Sequence, residues 1–228
     1  VRGISSNSKE IKKGYIFVAI KGKNFDGAEY IAEAEKLGAF LIIAEEACNK
    51  KVFSVKKGTA RQIYTLLLSS FYIKQPKQII GVTGTNGKTS TVEFCRQLWA
   101  LAGWKAASMG TLGTKTETPL NKSVYKNKEE NLTTFEPSDL YEKLNFLVEE
   151  KISHLALEAS SHGIDQYRLD GVNFSGAVFT NLSHDHLDYH GNTENYFSTK
   201  KRLFTKVLKN NSAISINIDD IYGKKLLK

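Results

Sequence analysis

The stretch that most constrains this chain runs from Gln78 to Ala102, QIIGVTGTNGKTSTVEFCRQLWALA. Ile79-Ile80-Gly81-Val82-Thr83 is a short apolar run suited to a buried parallel strand. Gly84-Thr85-Asn86-Gly87-Lys88-Thr89 follows, and then an amphipathic helix. In that helix Val92, Cys95, Leu98, Trp99 and Ala102 recur at three- and four-residue steps, with Gly103 placed to stop it. Strand, glycine loop, Gly-Lys-Thr and helix together form a phosphate cradle: glycines let backbone N–H groups close on an anion, and the helix N-terminus adds positive potential. Lys88 is expected to reach the outer phosphates, and the Thr89 hydroxyl to bind Mg²⁺. The loop is a variant, because Val82 stands where the usual pattern has glycine, flanked by Gly81 and Gly84. The bland alternative is a turn that is glycine-rich for steric reasons alone.

At 228 residues the chain can form one large domain or two smaller ones, and 41% hydrophobic residues with only 3 prolines supply a real core. Cys48 and Cys95 are far apart and make neither a disulfide framework nor a metal knuckle, which fits a reducing compartment. No stretch approaches the ~20 apolar residues of a membrane span, and the first residues do not read as a secretory signal. A cytoplasmic location is therefore expected. The net charge of +8 invites a nucleic-acid reading, but the lysines are scattered, as at Lys21/Lys23, Lys50/Lys51, Lys56/Lys57 and Lys224/Lys225. No basic helix interleaved with aromatics appears, so a solvated lysine-rich surface is expected and nucleic acid is not.

Residues 1–76 read as a small α/β unit. Strands are expected at 15–20, 40–44 and 52–55. Helices are expected at 28–37 and at 59–72, the second with Ile63, Leu66, Leu67 and Ser70 inward, and residues 74–77 read as a linker. Residues 77–228 read as a second α/β domain. It has strands at 106–111, 154–158, 177–180 and 213–218, a loop or hairpin over 113–131, and helices from Pro137 and over 194–209. The expected architecture is thus α/β: a small α/β unit, then a phosphate-loop domain with a mostly parallel sheet flanked by helices. In such sheets ligands sit beyond the carboxyl ends of the strands. The polar ends at 84–89, 158–162 and 181–190 should converge on one cleft.

Three features are chemically unusual. Glu158 ends an apolar strand, where an acid is costly unless it is paired or holds a metal. The run His184-Asp185-His186-Leu187-Asp188-Tyr189-His190 is dense in imidazole and carboxylate. It suits either one His completing a Mg²⁺ shell or a zinc site, although a run that follows a strand reads as a loop without helical i, i+4 geometry. Lys200 falls inside the apolar stripe Tyr196, Phe197, Leu203, Phe204, Val207. It is either a snorkelling lysine or a buried one whose lowered pKa frees it for chemistry.

Taken together, GVTGTNGKTSTVEF, the Leu-Thr-Thr at 132–134, LEASSHGIDQYRLDG at 157–171, FTNLSHDHLDYHG at 179–191 and YFSTKKRLF at 196–204 resemble the Mur ligases of peptidoglycan synthesis, in particular those that add the third amino acid. The resemblance implies an ATP- and Mg²⁺-dependent ligase that activates a carboxylate as an acyl phosphate and couples it to an amine. It implies that Gly84, Thr85, Asn86, Gly87, Lys88, Thr89 and Ser90 hold ATP, and that Lys88, Glu158, His186 and Lys200 serve catalysis. Thr89, Glu158, His186 and a carbamylated Lys200 would then hold metal. It also implies that Thr133, Thr134, Ser160, Gln166 and Arg168 hold the muramoyl-peptide, and that Ser8, Lys23 and Asn24 hold the uridine diphosphate. The expected partners are a UDP-N-acetylmuramoyl-dipeptide and an amino acid, with no nucleic acid, and the chain is expected to be a monomer. Two features depart from the family: Phe135 follows the Thr-Thr pair where proline is usual, and nothing corresponds to the family's third domain. A fragment that does not complete ligation alone is the expectation. The alternatives are another ligase of the superfamily, such as a folylpolyglutamate type, or a nucleotide-binding module without catalysis.

Overall fold

A computed structural model describes residues 1–22, 25–46, 52–117 and 132–228. Two compact units emerge, Val1–Tyr72 and Ile73–Lys228. The division falls before the expected linker because Gln75 belongs to the second unit: its side chain donates to Gly171 O and accepts from Asn173 N, both at 2.9 Å.

The first unit is a fully parallel sheet in the order β1 (Gly3–Ser5), β2 (Tyr15–Val18), β3 (Leu41–Ala44), β4 (Val52–Ser54). One face packs Phe17, Ile42 and Val52 against Ile31 and Ala34, which belong to the short helix α1 (Ile31–Lys36). The helix α2 (Ala60–Phe71) corrects the expected face. Ala60, Tyr64 and Leu68 are buried at four-residue steps, and Leu66 is exposed. Tyrosine has an apolar body, and a stripe read from aliphatic residues alone passes over it.

The second unit carries a six-stranded sheet in the order β10 (Ala213–Ile216), β9 (Gly176–Phe179), β5 (Gln78–Thr83), β8 (His154–Glu158), β6 (Ala106–Gly110), β7 (Gly113–Thr116). Every pairing is parallel except β6–β7, where the start of the stretch expected as a loop or hairpin, 113–116, turns back on the strand expected at 106–111; residues 118–131 of that stretch lie outside the described residues. The helix α3 (Lys88–Leu101) follows β5, and Gly103 ends it at φ +86°. Val92 is buried and Cys95 and Trp99 pack beside it, but Leu98 is 64% exposed with Phe94 and Leu101 on the other side. The inward stripe is i, i+3, i+7, and Leu98 lies off it. The helix α4 (Pro137–Glu149) begins with Pro137 and buries Leu140, Leu144 and Leu147 completely, each contributing about 2–3 kcal/mol of apolar burial. Phe135, where proline was expected, is itself buried.

Beyond the predicted elements lie α5 (Ser161–Asp165), α6 (Leu187–His190) and α8 (Ile221–Leu226). The helix expected over 194–209 is α7 (Thr193–Arg202) continued by one π-helical turn, Leu203–Val207. Among the described residues no helix is long and apolar enough to cross a membrane.

Candidate active site

The carboxyl ends of β5, β8 and β9 meet, joined by backbone. Ala159 N donates to Val82 O, Thr180 N to Thr83 O, and Thr85 N to Asn181 O. The loop 84–87 is stitched to the β9 end further: Asn86 N donates to Asn181 Oδ1 at 3.0 Å and Ser183 N to Thr85 Oγ1 at 3.0 Å. Gly84, at φ +152°, admits no other residue. A β-carbon there would overlap Thr180 Oγ1, and that hydroxyl is itself engaged with Asn86 O at 2.7 Å.

A cleft of about 310 Å³ opens on this loop, lined by Thr85, Asn86, Gly87, Lys88, Thr89, Ser90, Thr111, Thr133 and Glu158. Lys88 Nζ folds back, donating to Thr85 O at 2.8 Å and Gly84 O at 3.1 Å. Its pKa is lowered by burial, against the attraction of Glu158 and Asp185. Glu158, 1% exposed, accepts from Thr111 N at 3.0 Å and from the Thr111 hydroxyl at 3.3 Å. Lys200 is 1% exposed and donates to Gly84 O at 2.8 Å, the same carbonyl that Lys88 caps. Burial first, and then the charge of Lys88, bring the Lys200 amine down to about 7, while Asp185 pulls the other way. The buried lysine, not the snorkelling one, is what the apolar stripe holds.

The rest of the expected set divides. Thr134 accepts from Ser160 N and Ser160 Oγ at 2.9 and 3.0 Å and donates to Glu158 O at 2.8 Å. Arg168, buried, donates to Thr134 O at 2.7 Å and to Gln166 Oε1 at 2.8 Å, and pairs with Glu136 at 2.6 Å. Thr134, Ser160, Gln166 and Arg168 thus form one network under the cleft, with Thr133 at its rim. His186 stands apart from the cleft lining. It sits at φ +52°, its ring 4.9 Å from His162 and 6.3 Å from Tyr196, in an aromatic cluster with Tyr189 and His190. His162 and His190 both have lowered pKa values, burial being the main cause. Among the described residues no three His, Cys, Asp or Glu side chains gather as a ready-made metal site. Ser8 is buried in a 3₁₀ turn of the first unit, while Lys23, Asn24 and Cys48 lie outside the described residues.

Three contributors escaped the sequence reading: Gly110 and Thr111, which enclose the Glu158 carboxylate, and Asp185, whose charge acts on both lysines. Gly110-Thr111 end an apolar strand, and that position was the available signal. Asp185 was visible only as one member of the histidine run.

Residues 82–228 match the Mur ligase middle domain, and residues 1–68 match the Mur ligase family catalytic domain. The chain belongs to the Mur ligase family. A UDP-N-acetylmuramoyl-L-alanyl-D-glutamate–2,6-diaminopimelate ligase from Brucella melitensis is 39% identical over 231 residues, covering 100% of this chain and 46% of that protein. A solved structure of a ligase of that name superposes with a TM-score of 0.79 at 30% identity, over 99% of this chain and 45% of the other. A MurF ligase from Thermotoga maritima in complex with ADP gives a TM-score of 0.57 at 26% identity, over 96% and 46%. The chain therefore spans about half the length of the Mur ligases it matches.

Proposed function

We propose that this chain carries the nucleotide- and UDP-sugar-handling part of a Mur ligase that joins 2,6-diaminopimelate, or a similar diamino acid such as lysine, to UDP-N-acetylmuramoyl-L-alanyl-D-glutamate. In this reading ATP phosphorylates the substrate carboxylate, and the incoming amine displaces phosphate from the acyl phosphate to form the amide. The observation that carries it is the convergence of two lysines, Lys88 and Lys200, on the Gly84 carbonyl beside a buried glutamate. A glycine loop serving sterics alone needs neither a fully buried amine nor an acid facing its cleft. The relatives' names support the substrate and the amino acid, and the ADP named with the Thermotoga maritima ligase supports the nucleotide.

The loop amides and Lys88 would take the phosphates, with Lys88 exchanging its carbonyl partners for phosphate oxygens. Mg²⁺ fits the donors present: the Glu158 carboxylate and Thr89 hydroxyl are hard oxygens facing one cleft. When bound, Mg²⁺ neutralises phosphate charge. Lys200 joins that set once its neutral amine adds to CO₂, losing a proton and becoming a carbamate; His186 would need a loop movement to reach it. Arg168 and Gln166, held by Thr134 and Ser160, would receive the dipeptide carboxylates. Ser8 with Lys23 and Asn24 would meet the uridine diphosphate.

Calorimetric titration of UDP-N-acetylmuramoyl-L-alanyl-D-glutamate into the chain tests this, with the UDP-sugar lacking the peptide as control. Binding that needs the dipeptide and weakens in Arg168→Ala is expected. Absence of binding to the folded chain would overturn the substrate assignment in favour of another ligase of the superfamily.

A further inference from the structure

The end of β6 lies against Glu158 in an arrangement that the phosphate-loop motif does not require. Thr111 offers two donors to one carboxylate: its N–H reaches Oε1 at 3.0 Å and its hydroxyl lies 3.3 Å from Oε2. The residue before it has to be glycine, since a β-carbon at Gly110 would overlap Glu158 Oε1 and Cδ. The same Thr111 hydroxyl is 3.1 Å from Thr133 Oγ1, and Thr111, Thr133, Glu158, Lys88 and Thr89 line one cleft.

We propose that Gly110-Thr111 is the seat that fixes the Glu158 carboxylate toward the cleft, and that Thr111 is a positioning residue for cation binding there. The inference rests on the magnesium–nucleotide reading of the cleft. A glutamate's terminal torsion is broad, so a carboxylate with one bond rotates freely. Across the cleft stands the Lys88 ammonium, which attracts it. Without the hydroxyl, only the Thr111 N–H still holds the carboxylate, and Oε2 loses the partner that fixes it for a cation. With it, both oxygens are held, Oε1 by the N–H and Oε2 by the hydroxyl, in a residue that lines the cleft. The bridge to Thr133 places the same hydroxyl between the carboxylate and the Thr-Thr turn, so one side chain sets the spacing of both.

The test is calorimetric binding of a non-hydrolysable ATP analogue to the chain, with and without Mg²⁺, in wild type, Thr111→Val and Thr111→Ser. Valine keeps the shape and the backbone N–H and removes only the hydroxyl. The expected result is a loss of about tenfold in the magnesium-dependent gain in affinity for Thr111→Val, the size of effect typical when a ligand's orienting partner is removed. Metal-free binding falls by clearly less than magnesium-dependent binding, and Thr111→Ser restores the gain. A full magnesium-dependent gain in Thr111→Val overturns the proposal. So does an equal loss with and without Mg²⁺, which would make Thr111 a nucleotide contact or a purely structural residue. Absence of any magnesium-dependent gain in wild type that still binds the metal-free analogue would instead overturn the reading of the cleft, and the proposal with it.

Discussion

The two ends of the second unit's sheet are built on opposite principles. At the carboxyl end, polar groups are wired to one another: two lysines share the Gly84 carbonyl, Glu158 is gripped by Thr111, and Asn181 and Ser183 hold the loop. At the amino end, β6 and β8 begin with aromatic contacts. Trp104 stacks on His154 at 4.5 Å with planes 5° apart, and Trp99 leans in at 5.2 Å. Trp104 is half exposed there. One end spends stability on buried charge and strained backbone; the other recovers it through ring packing that tolerates change. Substitutions at the two ends should therefore separate ligand binding from folding.

The largest effect is expected at Gly84. Alanine there combines a backbone region reserved for glycine with overlap against a hydroxyl that has its own partners. Gly84→Ala should lose about 3 kcal/mol of stability in urea unfolding and abolish nucleotide binding measured by calorimetry. Retention of both would show that the loop rearranges around the added methyl.

Next comes Lys200. Its amine falls to about 7 in the fold because burial disfavours the charge, whereas in the unfolded chain it keeps its proton to about 10.5. Between those values the unfolded state holds more protons, so stability rises with pH and is lost as pH falls toward 7. Against Lys200→Met, which buries a similar volume without charge, wild type should gain about 3 kcal/mol between pH 7 and pH 10 in CO₂-free buffer. Parallel pH profiles for the two proteins would mean the amine is charged in the fold throughout.

This contrast also explains what could be read from sequence. The phosphate loop was legible because its parts are adjacent, and Lys200 because one lysine interrupts a stripe of apolar residues. Thr111 was not, because its partner lies 47 residues away and only the β6–β8 pairing brings them together. Helix existence followed from periodicity, while the faces were harder. Leu66 and Leu98 were expected inward and are exposed, since packing on Tyr64 and Trp99 decides the rotation. Elements of three to six residues, such as β1, α5 and α8, leave too short a pattern to see.

Asp220 tests how far the wiring extends. One oxygen accepts from Leu182 N at 3.1 Å, and the other caps α8 through Tyr222 N and Gly223 N at 2.9 and 3.0 Å. It thereby anchors the turn whose Asn181 and Ser183 hold the phosphate loop. Asp220→Ala should cost about 1–2 kcal/mol and weaken nucleotide binding several-fold, whereas a cap acting on α8 alone would change stability and leave binding intact.

The smallest effect belongs to the amino end. The pKa of His154 is lowered, mainly by burial and secondarily by the positive charge of Lys77. The neutral ring is the form the fold prefers, so its share of stability is present above the ordinary imidazole pKa of 6.5 and is lost as pH falls through that range. Trp104→Ala opens one face of the ring to water, and Lys77→Gln removes the repelling charge. Each should raise the His154 midpoint followed by NMR titration, Trp104→Ala more than Lys77→Gln because burial is the leading cause. Trp104→Ala should cost under about 1 kcal/mol, as for a half-exposed stacked ring, and leave nucleotide binding as it is. If binding weakened along with the ring's titration, the two ends would be coupled through the sheet, and the separation drawn between them would fail.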